Sequence, residues 1–280
     1  MKPRKPKHER TPWKYFANKK CVLRVYSILR LLVLATLVLQ LVDRNYQNAF
    51  ICVLTLILFL VPSILERKLH MKLPDTLEIV ILLFIFAADI LGEIQEYYVL
   101  VPHWDTVLHT MNGFLFAAIG FSIVNLLNDD KRVSLTLSPF YMAVAAFCFS
   151  MTIGVLWEFF EWLSDCLLNL DMQKDTVLHS VSSVMLHPDG RNDPVAYTGI
   201  RDVILLLEDG TEVALNVGGY LDIGLQDTML DLLVNMVGAV VFAPIGYLYV
   251  KTKGKGRIAR MFIPEVGQPQ ENERTKKTDT

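Results

Sequence analysis

The chain has 280 residues, of which 52% are hydrophobic and only 20% charged, with a formal net charge of −2. Together with a mean hydropathy of +0.37, this excludes an ordinary water-soluble domain, and apolar runs long enough to cross a hydrocarbon core of about 30 Å recur along the chain. The charge balance offers no footprint for a nucleic-acid partner, so the lipid bilayer is the partner the composition implies.

A basic segment, 1–23, precedes a first span at 24–42. That apolar stretch is too long for a cleaved signal peptide and no small-residue cleavage site follows it, so it reads as a retained anchor. Further spans follow at 49–65, 77–93, 105–127 and 137–162, so that 24–162 holds spans one to five. The segment 163–226 is too long for a bare connection. Within it, 203–207 and 212–217 flank Asp209-Gly210, a type I′ hairpin signal. A sixth span is expected at 227–250, followed by a polar tail, 251–280, expected to be disordered beyond Pro264. The fold class that results is an all-α, six-span helical bundle with a small extracytoplasmic β-hairpin insertion. Four cysteines occur without a CxxC pair and imply no disulfide framework.

Orientation follows from Lys and Arg. All but four of the 27 basic residues fall in the two terminal segments, the Arg67-Lys68 to Lys72 loop and the Lys131-Arg132 loop, or at Arg24 and Arg30 within reach of the same side. Arg44, Lys174, Arg191 and Arg201 lie opposite. The positive-inside rule then puts both termini in the cytoplasm and leaves three loops outside. Trp104, Trp157 and Trp162 mark the outer interface as an aromatic belt.

Ionisable residues collect at the outer ends of the last four spans. The third carries Asp89, Glu93 and Glu96; the fourth opens with Asp105, His109 and Asn112, after His103 in the preceding loop. The fifth ends with Glu158, Glu161 and Asp165, and the sixth opens with Asp227, Asp231 and Asn235. The i, i+3 and i, i+4 spacings put each set on one face of its helix. Glu93-x-x-Glu96 matches Glu158-x-x-Glu161, and Asp105-Thr-x-Leu-His109 matches Asp227-Thr-x-Leu-Asp231, so spans three-four and five-six read either as a repeated hairpin or as a coincidence of short motifs.

Asp105 and Asp227 stand where a carboxylate caps a helix N-terminus. The glutamates instead sit at C-terminal ends, against the dipole, and groups a turn inside the apolar zone cost about 2.5–3.5 kcal/mol each when ionised. Three explanations stand side by side: a bound divalent metal cation, protons shared among carboxylates, or solvated helix ends. For a metal, Glu158, Glu161, Asp231 and His109 are the ligands of choice and Asp105 or Glu93 the base. Asp89, Glu96, Asp165, Asp227, Asn112, Asn235 and His103 would support them.

The motifs Pro102-His103-Trp104-Asp105-Thr106-x-x-His109, Gly154-x-x-Trp157-Glu158-x-x-Glu161-Trp162 and Asp227-Thr228-x-x-Asp231-x-x-x-Asn235 resemble those of the YjdF-like bacterial inner-membrane protein family. The resemblance implies a multi-span membrane fold and an acidic site on these residues, and no particular reaction.

Three functions compete. The first is a metal-dependent membrane enzyme acting on a lipid head group or another envelope substrate, with the cation polarising an ester or phosphoryl oxygen. A cation- or proton-coupled transporter is the second, although the inner halves of the spans are almost free of polar side chains and transport sites usually lie at the midplane. The third is a scaffold or sensor, for which so many carboxylates are an inefficient packing device.

Overall fold

The computed structural model describes residues 19–69, 71–129, 137–254 and 256–266. The first 18 residues, the Lys131-Arg132 loop and the tail beyond 266 lie outside them. The helices are α1 (Lys19–Val42), α2 (Tyr46–Leu58), α3 (Val61–Leu69), α4 (Asp75–Phe86), α5 (Tyr97–Leu100), α6 (Trp104–Asp129), α7 (Pro139–Leu168), α8 (Leu225–Lys251) and α9 (Ala259–Phe262). Among the described residues, five helical segments are long and apolar enough to cross a membrane: Lys20–Val42, Tyr46–Lys68, Trp104–Asn128, Pro139–Leu168 and Leu225–Lys251. Their outward faces carry Leu31, Val38, Phe140, Leu156, Phe159, Val240 and Val241, all exposed, as lipid contact requires and water would penalise.

The expected third span is helical but not one α-helix. After α4 the chain widens into a π-helix, Ala87–Ile94, and the Gln95 N–H reaches back to the Ile90 carbonyl at 3.0 Å. Each residue in such a segment is displaced around the axis from its α-helical position, so the side chains that follow no longer face where an i, i+4 count puts them.

Two helix groups result. In the first, α6, α7 and α8 pack around Ala117, Ala118, Phe121, Met142, Ala146, Ala239 and Phe242. The second sets α1, α2, α4 and the π-helix around Leu29, Val33, Cys52, Phe59, Leu82 and Ile90. Leu73, Leu77 and Ile81 beside Leu115 of α6 join them.

The segment after α8 departs from expectation. Ala259 and Ile263 are buried in the core, Phe262 meets Phe114 edge-on at 5.0 Å, and β1 (Met71–Lys72) pairs antiparallel with β8 (Glu265–Val266). Apolar residues at i, i+3 and i+4 in this short stretch give it a face to bury, which its overall polarity conceals. Continuous helix passes through Pro244, and α7 runs six residues past Trp162, ending at Leu168 before Asn169 takes φ 52°.

Between α7 and α8 lie three strand pairs: β2 (Val177–Leu178) with β7 (Tyr220–Leu221), β3 (Ser180–Ser183) with β4 (Val195–Thr198), and β5 (Ile204–Leu206) with β6 (Glu212–Ala214). The hairpin at Asp209-Gly210 is present, but its turn is not type I′. Glu208 and Asp209 keep negative φ, Gly210 alone takes +83°, and the Gly210 N–H donates to the Leu207 carbonyl at 3.0 Å. This is the three-residue loop with a left-handed glycine. The Asp209 carboxylate, accepting from the Thr211 N–H at 2.9 Å, holds that form.

Candidate metal centre

Local helix periodicity brings Asp105 and His109 to one face of α6, Glu158 and Glu161 to one face of α7, and Asp227 and Asp231 to one face of α8. The three faces meet because α6 and α8 touch backbone to backbone. A Cβ on Gly113 would lie 1.9 Å from the Asn235 carbonyl oxygen, and one on Gly238 would lie 2.0 Å from that of Thr110. Glycine is required at both contacts, as where membrane helices approach closely.

His109, 6% exposed, is the centre of the group. Its Nε2 lies 3.5 Å from Asp105 Oδ1 and 3.9 Å from Asp231 Oδ2, and its Nδ1 lies 3.7 Å from Glu158 Oε1. Asp105, His109 and Asp231 form one set of three ligand atoms within 4.8 Å of one another; His109, Glu158 and Glu161 form a second. Both oxygens of Glu158 and Oδ2 of Asp231 are buried and have no hydrogen-bond partner at ordinary distance and angle among the described residues, with the Thr228 and Gln173 side chains standing near the Glu158 carboxylate. A neutral imidazole has one N–H and one lone pair. With carboxylates facing both nitrogens, one of them meets a lone pair unless a proton or a metal cation stands between.

Below the ring, Asn112 Nδ2 donates to Asn235 Oδ1 at 3.1 Å, the Asn235 amide packs on Gly154, and Ser150 Oγ donates to the Gly113 carbonyl at 2.7 Å. Apolar packing around Phe121, Met142 and Phe242 begins beneath this floor. At the opposite end, residues 171–176 form a strap. Asp165 accepts the N–H groups of Met172 and Gln173 at 2.6 and 2.8 Å, Asp227 accepts that of Lys174 at 2.7 Å, and the Gln173 amide donates to the Thr228 hydroxyl.

The histidine–carboxylate group therefore comes from α6, α7 and α8, the helices that carry the four expected ligands. Asp89, on the π-helix, accepts from Thr55 Oγ1 of α2 at 2.8 Å. Glu93 is exposed, though close enough to Asp105 and Lys174 to feel both charges. Glu96 is exposed at φ 58° outside any helix, and His103 is exposed at φ 62°, its carbonyl accepting from the Val107 N–H at the start of α6. The Glu93 and Glu158 motifs thus differ locally: only the second keeps both glutamates on a helix face. Asp165 and Asp227 hold the strap, and Asn112 and Asn235 form the floor. Sequence reasoning missed Thr55, Gln173, Lys174 and Thr228. It also took Trp157 for part of the aromatic belt, whereas its indole N–H donates to Glu161 Oε1 at 2.8 Å. The i, i+4 spacing of Trp157 and Glu161 is the signal that would have found that bond.

A model of the family described as predicted membrane protein, DUF2238, matches residues 25–252. The chain belongs to this family. The match takes in every residue of the histidine–carboxylate group and agrees with the YjdF-like motifs. An uncharacterized protein of Thermotoga maritima is 23% identical over 130 residues, which cover 44% of this chain and 64% of the relative, so the chain spans less than two thirds of that relative's length. No solved structure matches the chain.

Proposed function

We propose that this DUF2238 protein binds a divalent cation at His109 and uses it as a metal-dependent membrane enzyme on a lipid head group or another envelope substrate. The observation that carries the reading is the set of buried carboxylate oxygens without hydrogen-bond donors around an imidazole that has a carboxylate at each nitrogen. Buried charges are either neutralised, paired or coordinated to a metal, and no Lys or Arg forms an ion pair with these carboxylates among the described residues. Oxygen ligands with one imidazole suit Mn²⁺ or a mixed zinc or iron site.

A bound cation would supply Lewis acidity and a water of lowered pKa. Glu93, exposed and close to Asp105, would be the base for such a water, and the Trp157 indole orients Glu161. The Asn112–Asn235 floor and the apolar packing beneath it close the site toward the membrane interior, which favours chemistry over passage.

In this reading the α4 and π-helix segment completes six spans. The matching positions of Asp105 on α6 and Asp227 on α8, each with a buried partner four residues on, support a repeated hairpin. Arg67, Lys68 and Lys72 at one end, with Lys251, Lys253, Arg257 and Arg260, support a cytoplasmic location for that end and an extracytoplasmic site.

Elemental analysis of the detergent-purified chain after metal loading and desalting tests the reading. Stoichiometric metal in the wild type, lost in His109→Ala, is expected, with activity on vesicle-borne phosphoesters that chelation abolishes and metal restores. A folded wild type that takes up no metal overturns the proposal.

A further inference from the structure

The ligands around His109 form two shells, one on each side of the ring. Glu158 faces Nδ1 and groups with Glu161, while Asp105 and Asp231 face Nε2. The two nitrogens point in different directions, so a single ion meets only one of them. Resting on the cation-site reading above, we infer that the site holds two divalent ions of the imidazole-preferring kind, such as Zn²⁺, one on each ring nitrogen.

Both sides independently carry the mark of a missing ligand. On one, Glu158, 4% exposed, has neither oxygen hydrogen-bonded; on the other, Asp231, 2% exposed, has Oδ2 unpaired. One ion combined with one imidazole N–H leaves this unresolved. If the ion lies on the Nδ1 side, an Nε2–H group is 3.5 Å from Asp105 and 3.9 Å from Asp231, outside the 2.7–3.2 Å of an ordinary N–H···O bond. If the ion lies on the Nε2 side, an Nδ1–H group is 3.7 Å from Glu158 Oε1, and Oε2 still has no donor.

The observed separations fit coordination better. Two ligands each about 2.0–2.2 Å from a metal, at tetrahedral to trigonal angles, stand about 3.3–3.8 Å apart. Charge points the same way. With all four carboxylates ionised, one divalent ion leaves two negative charges at the membrane rim, where ionised groups are costly. The second ion adds two positive charges and displaces the remaining ring proton to solvent, as metal binding to a protonated ligand does, leaving one negative charge.

Two metal–nitrogen bonds of about 2.0–2.1 Å across the width of the ring put the ions about 6 Å apart. That is wider than the roughly 3.5–4 Å of pairs that clamp one phosphoryl group between them, so the ions divide their work. The Glu158–Glu161 ion is enclosed by buried ligands and anchors α7 to α6. The Asp105–Asp231 ion, beside the partly exposed Asp105, keeps the open position where water and substrate bind.

The test is zinc stoichiometry of the full chain, loaded in detergent and desalted, with folding checked by circular dichroism and gel filtration. Two ions per chain in the wild type and one in each of Glu158→Gln, Glu161→Gln and Asp231→Asn are expected. One ion in the wild type, absent from variants on both sides, overturns the second site and leaves the single-cation reading intact. No ion in a folded wild type overturns both. Two ions in the wild type with both lost from every folded variant overturns the assignment of separate shells; Glu161→Gln serves if Glu158→Gln does not fold.

Discussion

Replacing Gly238 by alanine tests whether the backbone contact between α6 and α8 sets the geometry of the proposed metal centre. The new methyl would stand 2.0 Å from the Thr110 carbonyl oxygen, where ordinary contact begins at 3.4 Å, so one helix must move by about 1.4 Å. Thr110 follows His109, and Gly238 lies two turns from Asp231 on the same helix, so the displacement is felt at the ligands. Metal sites tolerate deviations of about 0.2 Å in bond length, and overpacking of this kind costs about 1–3 kcal/mol. Gly238→Ala should therefore lower the thermal midpoint in detergent and weaken metal binding together, with Gly113→Ala behaving alike because its methyl would meet the Asn235 carbonyl oxygen at 1.9 Å. Thermal unfolding followed by tryptophan fluorescence, and metal competition against a chelator, measure the two effects. A Gly238→Ala chain with wild-type midpoint and wild-type metal affinity would refute the reasoning.

Other expectations follow from single contacts. Trp157→Phe removes the donor to Glu161 Oε1 while keeping an aromatic ring, and should weaken metal affinity by about 10–100-fold, the usual effect of losing a ligand's orienting hydrogen bond; unchanged chelator competition would count against Glu161 as a ligand. Thr55→Val leaves the Asp89 carboxylate without its hydroxyl donor and should cost about 1–3 kcal/mol of stability with metal content unchanged, since Asp89 lies outside the ligand group. The Thr211 N–H holds the Asp209 carboxyl below its ordinary value of 3.8. A depressed folded value means that this interaction is fully present above the ordinary value and is lost as pH falls through the folded one. The Thr211 amide resonance should thus titrate with a midpoint below 3.8; a midpoint at or above 3.8 refutes the assignment.

The legible part of this protein is the part that rests on local periodicity. Hydropathy located the five long helical segments, and i, i+3 and i, i+4 spacing located Asp105 with His109, Glu158 with Glu161, and Asp227 with Asp231 on common faces. Both kinds of inference need only the 3.6-residue turn and the thickness of a bilayer. The third span was less legible because its winding changes. Within the π-helix, Asp89 is brought to Thr55 and Glu93 is left exposed, away from the faces an α-helical count assigns. The residues after α8 were hidden by their composition: three apolar positions, Ala259, Phe262 and Ile263, suffice to dock on a core that hydropathy averaging does not see.

By itself, the sequence determined that the chain is a membrane protein and which residues share a helix face. Only the tertiary structure decided that α6, α7 and α8 meet around His109, that Glu158 and Asp231 approach opposite sides of its ring, and that Asp165 and Asp227 bind a strap. The physical reason is that side-chain direction along one helix follows from bond geometry. Which faces meet depends instead on contacts as short as those at Gly113 and Gly238, between residues more than a hundred positions apart.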